Sequence, residues 1–272
     1  MPRVQIIIPA RLASTRFPAK PLAPLTGADG VARPALHYTW AAGLAAAGAL
    51  GPDAACVIAT DDERIADFAR GEGMAVVMTP VECLNGTERC AAALAELTET
   101  PEIVVNLQGD APLTPAQMVT AVVALLEADA DLAMATAAVP ATPAVLGHLQ
   151  TDAAAGRVGG TTVVCSRAGR ALYFSKSIIP HIARGTAPRE PVLLHLGLYA
   201  YRPAALTGYR AHGAVSLELQ EGLEQLRFLD AGLPVGVAVC PAPAWDMVEL
   251  NNPSDIPLIE AQLVRRAQVE EA

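Results

Sequence analysis

Short β-branched apolar runs alternate with longer helical patterns through the first half of the chain. The runs at Val4-Ile8, Ala55-Ala59, Ala75-Met78 and Ile103-Leu107 predict strands. The stretches near Ala35-Ala47, Asp62-Gly71 and Thr87-Leu97 predict the helices between them. Such alternation is the signature of βαβ units and a mainly parallel sheet. The first strands are continuous rather than alternating in hydrophobicity, as expected of a sheet covered on both faces. Ligands of these sheets bind beyond the carboxyl ends of the strands, so residues that directly follow a strand are the first place to look for chemistry.

Further along, Thr114-Ala128 predicts a helix with Thr114 and Pro115 as cap and first-turn residues, and Asp131-Val139 a strand. The stretch Pro140-Gly160 is rich in Pro, Ala and Gly and predicts an irregular connection. After it, Thr161-Cys165 and Arg170-Phe174 predict a hairpin, Leu194-Tyr201 and Val235-Val239 strands, Ser216-Leu229 a helix and Ser254-Ala267 a closing helix. At 272 residues the chain lies near the upper end of what one α/β core holds, which predicts one domain over 1–272 with an excursion at approximately 140–215.

Composition narrows the picture. With 52% hydrophobic but only 4% aromatic residues, the core is expected to be aliphatic. A net charge of −9 argues against a nucleic-acid partner, which demands a broad excess of Lys and Arg. It leaves room for a small anion held by a local cluster of cations. The five cysteines show no CxxC or Cys/His ligand spacing and read as reduced, packed thiols of a cytoplasmic protein. No export signal precedes the first strand, and Ala35-Leu50 is too short and too interrupted to span a bilayer, so no membrane partner is expected.

Local clusters of polar residues follow the strands. The first is Pro9-Ala10-Arg11-Leu12-Ala13-Ser14-Thr15-Arg16-Phe17-Pro18-Ala19-Lys20-Pro21-Leu22. A polyphosphate needs cations to offset its charge and donors for its oxygens, and this loop carries three cations, two hydroxyls and exposed amides. It reads as a triphosphate cradle, the plainer alternative being a solvated basic loop. Neither a Walker loop nor a dinucleotide fingerprint is present. In Asn106-Leu107-Gln108-Gly109-Asp110-Ala111-Pro112, Asp110 is placed to offer magnesium a carboxylate, or simply to make a Gly-Asp turn. In Asn85-Gly86-Thr87-Glu88-Arg89, Thr87 reads as a helix N-cap with Glu88 at the positive helix end, or the segment binds a base or ribose with Arg89 in the cleft.

Taken in order, PARLASTRFPAKPL, ATDDERI, NGTERCAAA, NLQGDAPL, ALYFSKSIIP, HLGLYAYR and LELQEGLEQLR resemble the CMP-Kdo synthetase family, the 3-deoxy-manno-octulosonate (Kdo) cytidylyltransferases. The likeness runs from Val4 to about Arg227, and HLGLYAYR with LEQLR are its most specific parts. The resemblance implies a Rossmann-like α/β nucleotidyltransferase fold with a mainly parallel mixed sheet and a smaller dimerisation lobe. It also implies a homodimer and a Mg2+-dependent reaction in which CTP and a sugar acid give a CMP-sugar and pyrophosphate. Carried over residue by residue, Ala10, Arg11, Ser14, Arg16 and Lys20 would hold the nucleotide and its phosphates, Lys20 offsetting charge on the leaving pyrophosphate. Gly86, Thr87 and Arg89 would lie against the nucleotide, and Gln108 near the ribose or sugar. Arg11, Lys20 and Asp110 form the catalytic group, Asp110 as a metal ligand; His195, Tyr199, Glu224 and Gln225 would bind the acid. On this reading His195 is a substrate hydrogen bonder or a packed histidine rather than a general base.

Three positions depart from the family pattern. Ala111 stands where a Glu is expected, Thr162 where a Lys is expected, and Asn251 where the family has its second metal-binding Asp. An amide coordinates magnesium without contributing charge, and Asp246 or Glu249 could replace the missing carboxylate. Trp245 either closes over a ligand or fills space, and its setting beside prolines favours packing. Two other readings stay open: a paralogue that cytidylylates a different acid, such as another ulosonate or a phosphonate, and a non-catalytic nucleotide-binding protein.

Overall fold

The computed structural model describes residues 3–13, 17–183 and 185–270. The chain clusters into two compact units, one formed by 1–120 with 243–272 and the other by 121–242.

The first unit opens with β1 (Val4–Ala10), a hairpin of β2 (Pro24–Thr26) and β3 (Ala32–Pro34), then α1 (Ala35–Leu50), β4 (Ala54–Thr60), α2 (Glu63–Gly71), β5 (Val76–Met78), α3 (Gly86–Glu96) and β6 (Ile103–Leu107). The strands lie in the order β6-β1-β4-β5, all parallel, with Ile6 opposite both Cys56 and Val105. Ile6, Ile7 and Ile8 are fully buried although consecutive strand residues point to opposite faces, so both faces of β1 are covered. Helix α1 packs on β1 and β4, α2 on β4 and β5, and α3 along the strands from β5 to β6. Burial of each such isoleucine contributes about 1.5–3 kcal/mol.

Helix α4 (Ala116–Ala128) carries the chain across the unit boundary. The second unit continues with β7 (Met134–Pro140), α5 (Pro143–Ala154), β8 (Thr162–Cys165), β9 (Ala171–Ser175), β10 (Leu193–Tyr201), α6 (Pro203–His212), α7 (Ser216–Glu221), α8 (Leu226–Asp230) and β11 (Val235–Val239). Here β7 is flanked by β11, parallel, and β10, antiparallel; β8 pairs with β10 and β9. The stretch 140–215 lies wholly inside this unit. After β11 the chain returns to the first unit and ends in α9 (Ile256–Glu270), preceded by a 3-10 turn at Pro253–Asp255.

Two sequence expectations need correction. The supposed irregular connection at 140–160 contains α5, because Thr142 accepts a hydrogen bond from the Val145 amide as N-cap and Pro143 takes the first helical position, where its missing donor costs nothing. The helix expected over 216–229 is two helices. Gly222, with φ 61, adopts the left-handed conformation that ends α7, and the chain restarts at Leu226. The β2/β3 hairpin and α6 were not foreseen.

The first unit has a second core beside its sheet. Ala23, Leu25, Ala35, Tyr38, Leu113, Trp245, Leu250, Ile259 and Leu263 form one cluster. Trp245 is 9% exposed and donates its indole N–H to the Leu113 carbonyl at 2.9 Å, so it packs the returning segment down as expected. Arg266 reaches the Pro112 carbonyl at 3.2 Å, and Glu260 accepts from the Thr26 amide at 2.7 Å.

Candidate active site

The loop after β1 begins at buried Ala10 and exposed Arg11. Ser14 and Arg16 lie outside the described residues. The loop is closed where the Ala19 amide donates to the Leu12 carbonyl at 3.1 Å, after which Lys20 opens a 3-10 turn. From there Lys20 Nζ reaches Asp110 Oδ2 at 2.5 Å. The pair is about one-fifth exposed, 17% and 22%, and so remains accessible to a charged ligand. Ninety residues apart in sequence, the two meet because β1 and β6 are adjacent parallel strands whose carboxyl ends finish side by side.

The turn that carries Asp110 is held from three sides. Any Cβ on Gly109 would come 2.6 Å from the Pro9 carbonyl oxygen, so only glycine lets the β6 turn approach the β1 end this closely. The Thr39 hydroxyl donates to the Gly109 carbonyl at 3.1 Å, and the Leu250 amide to the Asp110 carbonyl at 2.9 Å. The latter bond brings 249–251 to the Asp110 turn. Glu249 keeps open surface, and its carboxyl is pushed up to about 7 by desolvation and by the charge of Asp110, with the Asn251 amide and Lys20 pulling the other way. Asn251 Nδ2 is 3.5 Å from Glu249 Oε2, while the backbone amides of Asn251 and Asn252 both donate to Asp255 Oδ2, at 2.8 and 2.6 Å. Asp246 is exposed and has its backbone amide bound by Gln262.

At the start of α3 the N-cap is Asn85, whose side chain accepts from the Glu88 amide at 2.8 Å; the cap expected at Thr87 falls two residues further on, inside the helix. Thr87 is fully buried. Gly86 packs under Gln108, where a Cβ would come 2.7 Å from Gln108 Nε2, and Gln108 in turn donates to Asn106 Oδ1 at 3.1 Å. Arg89 is 2% exposed, and its guanidinium is directed to Asp61 at 2.8 Å and Thr79 at 2.7 Å. It ties the helix to the ends of β4 and β5. Asp61 and Thr79 were not singled out from the sequence, although both directly follow strand residues, which is the signal that could have found them.

In the second unit, His195 and Tyr199 lie on β10 around a register shift between Leu196 and Tyr199. His195 Nε2 is 3.0 Å from the Thr136 hydroxyl, and its ring packs against Phe174 and Tyr199 at 5.0 and 5.6 Å. Desolvation in this aromatic setting holds the imidazole pKa down to about 3, which makes it a neutral hydrogen-bonding group and a weak base at neutral pH. The Tyr199 hydroxyl donates to Gln225 Oε1 at 3.4 Å. Gln225 is buried, and among the described residues its Nε2 has no hydrogen-bond partner. A buried orphan donor is costly unless a ligand satisfies it. Glu224 is half-buried. The next turn is fixed by Arg227, which forks onto Glu218 with two bonds of 2.7 Å and stacks over Tyr209 at 3.8 Å. Thr162, at the position of the missing Lys, is buried and ties β8 to the 175–179 segment, donating to the Ser177 carbonyl at 2.7 Å and accepting from the Ile179 amide at 3.1 Å.

Residues 5–235 match the family model described as Cytidylyltransferase. The 3-deoxy-manno-octulosonate cytidylyltransferase of Maricaulis maris is 39% identical over 98% of this chain and 99% of its own length. The chain belongs to this cytidylyltransferase family. A Zea mays relative with the same name is 37% identical over 96% of this chain and 80% of its own length. Among solved structures, CMP:2-keto-3-deoxy-manno-octonic acid synthetase complexed with CTP superposes with a TM-score of 0.81 at 27% identity, covering 97% of this chain and 99% of that one. The 4-diphosphocytidyl-2C-methyl-D-erythritol synthase of Anaerococcus prevotii shares the fold at a TM-score of 0.57 and 13% identity. The family fold is a largely parallel mixed α/β arrangement, as the sequence led us to expect. None of the helices among the described residues is long and apolar enough to cross a membrane.

Proposed function

We propose that the chain transfers CMP from CTP to Kdo and releases pyrophosphate. The observation that carries this reading is the Lys20–Asp110 pair at the ends of two parallel strands, in a chain 39% identical to a Kdo cytidylyltransferase. The anomeric hydroxyl of the acid forms the new bond to the α-phosphorus in line, the bond to the β-phosphate oxygen breaks, and the hydroxyl proton passes to solvent. No covalent enzyme intermediate is needed, so the protein's work is positioning and charge stabilisation.

Arg11 and Lys20, with Ser14 and Arg16 of the same loop, hold the phosphates, and Lys20 offsets charge on the departing pyrophosphate. Ala10, Gly86 and Gln108 line the nucleotide, while the buried Thr87 and Arg89 act on it by fixing the start of α3, Arg89 through Asp61 and Thr79. His195, Tyr199, Glu224 and Gln225 bind the acid, with the orphan Gln225 Nε2 as a donor to its oxygens. The residues at Asp110 fit a magnesium ion: its carboxylate already draws the Lys20 ammonium, and a second acidic group, Glu249, is close enough to feel its charge. Hard magnesium takes one or two carboxylates with phosphate oxygens and waters. When bound it would neutralise phosphate charge, and Asp110 would hold it together with a ligand from 246–251. Cys56, Cys165 and Cys240 are free thiols, which suits the reducing cytoplasm. Exposed Val158 and Leu172 in the second unit support a homodimer contact within 140–215.

Pyrophosphate release measured with CTP and a panel of ulosonates and phosphonates tests the reading. Turnover with Kdo and none with the others is the expected result. Turnover with another acid alone would make the chain a paralogue, and CTP binding without turnover at any magnesium concentration would make it a binding protein.

A further inference from the structure

The second metal carboxylate expected of this family is missing, because Asn251 stands at its position. We infer that Glu249 supplies that carboxylate and that Asn251 orients it, an inference that rests on the magnesium-dependent reading above. The candidates can be separated by what already engages each acid of the returning segment. Asp255 is engaged by the amides of Asn251 and Asn252, and Glu260 by the amide of Thr26. Asp246 is exposed, with its backbone held by Gln262. Glu249 directly precedes Leu250, whose amide is bonded to the Asp110 carbonyl, and it is the acid toward which the Asn251 side chain turns.

The backbone explains the placement. The Leu250 amide is bonded to the carbonyl of Asp110 itself at 2.9 Å, so the residue on either side of Leu250 is brought to the metal turn. On one side lies the amide of Asn251, on the other the carboxylate of Glu249. Asn251 points its Nδ2 at Glu249 Oε2 across 3.5 Å, so its amide nitrogen acts as a donor that orients the carboxylate. The arrangement keeps two carboxylates at the site while moving the second by two residues, on a side chain one methylene longer.

The test is Mn2+ binding to the CTP-loaded protein without acceptor, read by electron paramagnetic resonance of the free ion, so that it does not depend on turnover. Glu249→Gln is expected to weaken Mn2+ binding by about 10–100-fold, at least the loss seen for outer-shell metal partners. Asn251→Ala should cost about three- to fivefold, the worth of one hydrogen bond. Adding Asn251→Asp to Glu249→Gln should restore most of the loss by returning the carboxylate to the position usual in the family. Thermal melts report whether each variant is folded, and Glu249→Ala serves should the Gln variant not fold. Wild-type affinity in Glu249→Gln, or a loss in Asn251→Ala or Asp246→Asn as large as that in Glu249→Gln, overturns the inference. If wild type itself binds no Mn2+ beyond that held by CTP, or Asp110→Asn binds as well as wild type, the magnesium reading fails and the inference with it.

Discussion

Each unit has a sealed ion pair, Arg89–Asp61 in the first and Arg227–Glu218 in the second, but the residues proposed to meet ligand differ between them. In the first, the charges proposed to meet the nucleotide are accessible: Arg11 is exposed, and Lys20 and Asp110 are paired at the surface of the turn. In the second, the residues proposed to meet the acid are set among uncharged groups, with half-buried His195 among aromatic rings and buried Tyr199 bonded to buried Gln225, Glu224 being the one acidic member. A polyphosphate is recognised by charge that must stay reachable. A sugar acid with many hydroxyls is recognised by directed hydrogen bonds that work best when dry. It follows that substitutions in the first unit should cost activity while sparing the fold, and those in the second should divide between the two.

The sharpest break should come from Arg227→Leu, which leaves the Glu218 carboxylate buried without its partner. Stability should fall by about 3–5 kcal/mol, read by chemical denaturation. A loss under 1 kcal/mol would mean that the buried pair is no foundation of this region. Next is Lys20→Ala, expected to lower kcat/KM by about 10²–10³ with an unchanged melting temperature. If instead the variant lost stability and kept its activity, the Lys20–Asp110 pair would be structural and the contrast between the units would collapse. Third is Gln225→Leu, which removes a buried donor that has no hydrogen-bond partner among the described residues. It should raise KM for the acid by about 10–100-fold, leave KM for CTP alone and keep or raise the melting temperature. A rise in KM for CTP instead would move Gln225 out of the acceptor group.

The smallest effect concerns pH. His195 is neutral in the folded protein with a pKa near 3, below its ordinary value of 6.5, so the unfolded chain takes up a proton that the folded chain refuses. Its contribution to stability is complete above about pH 6.5 and is lost as pH falls toward 3. His195→Gln should therefore flatten the decline in melting temperature over that window. An unchanged slope would place the imidazole in a wetter setting than its aromatic neighbours provide.

Legibility followed local pattern rather than unit. Apart from the start of β7, the strands of the main sheets were legible to within a residue or two in both units because uninterrupted apolar runs leave few alternatives, with β6 and β11 found at their observed limits, whereas the short β2/β3 hairpin was missed. Helix α5 was hidden by the Pro and Gly around it, and the break at Gly222 by strong helix formers on both sides. At the site, Lys20 and Asp110 announced themselves as charges after strands, whereas nothing in the composition distinguishes the aim of a half-buried His195 or a buried Gln225; those entered only through family resemblance. The Thr162 substitution, read as a lost cation, is a buried hydrogen-bonding position that joins β8 to the segment after β9.

The way the chain closes its first unit also fixes the order in which the protein can be born. The Asp110 turn takes a hydrogen bond from Leu250, its neighbour Leu113 is covered by Trp245, and the surrounding cluster includes Ile259 and Leu263. During synthesis, domains ordinarily fold from the N-terminus as they emerge from the ribosome. Here the parallel strands of the first unit are complete by Leu107, yet the floor beneath the Asp110 turn waits for residues made some 140 positions later, after the whole second unit has emerged. A nascent chain thus carries the charged loop without its finished support, and ribosome-bound chains stalled before Trp245 should remain inactive and open to protease at the turn.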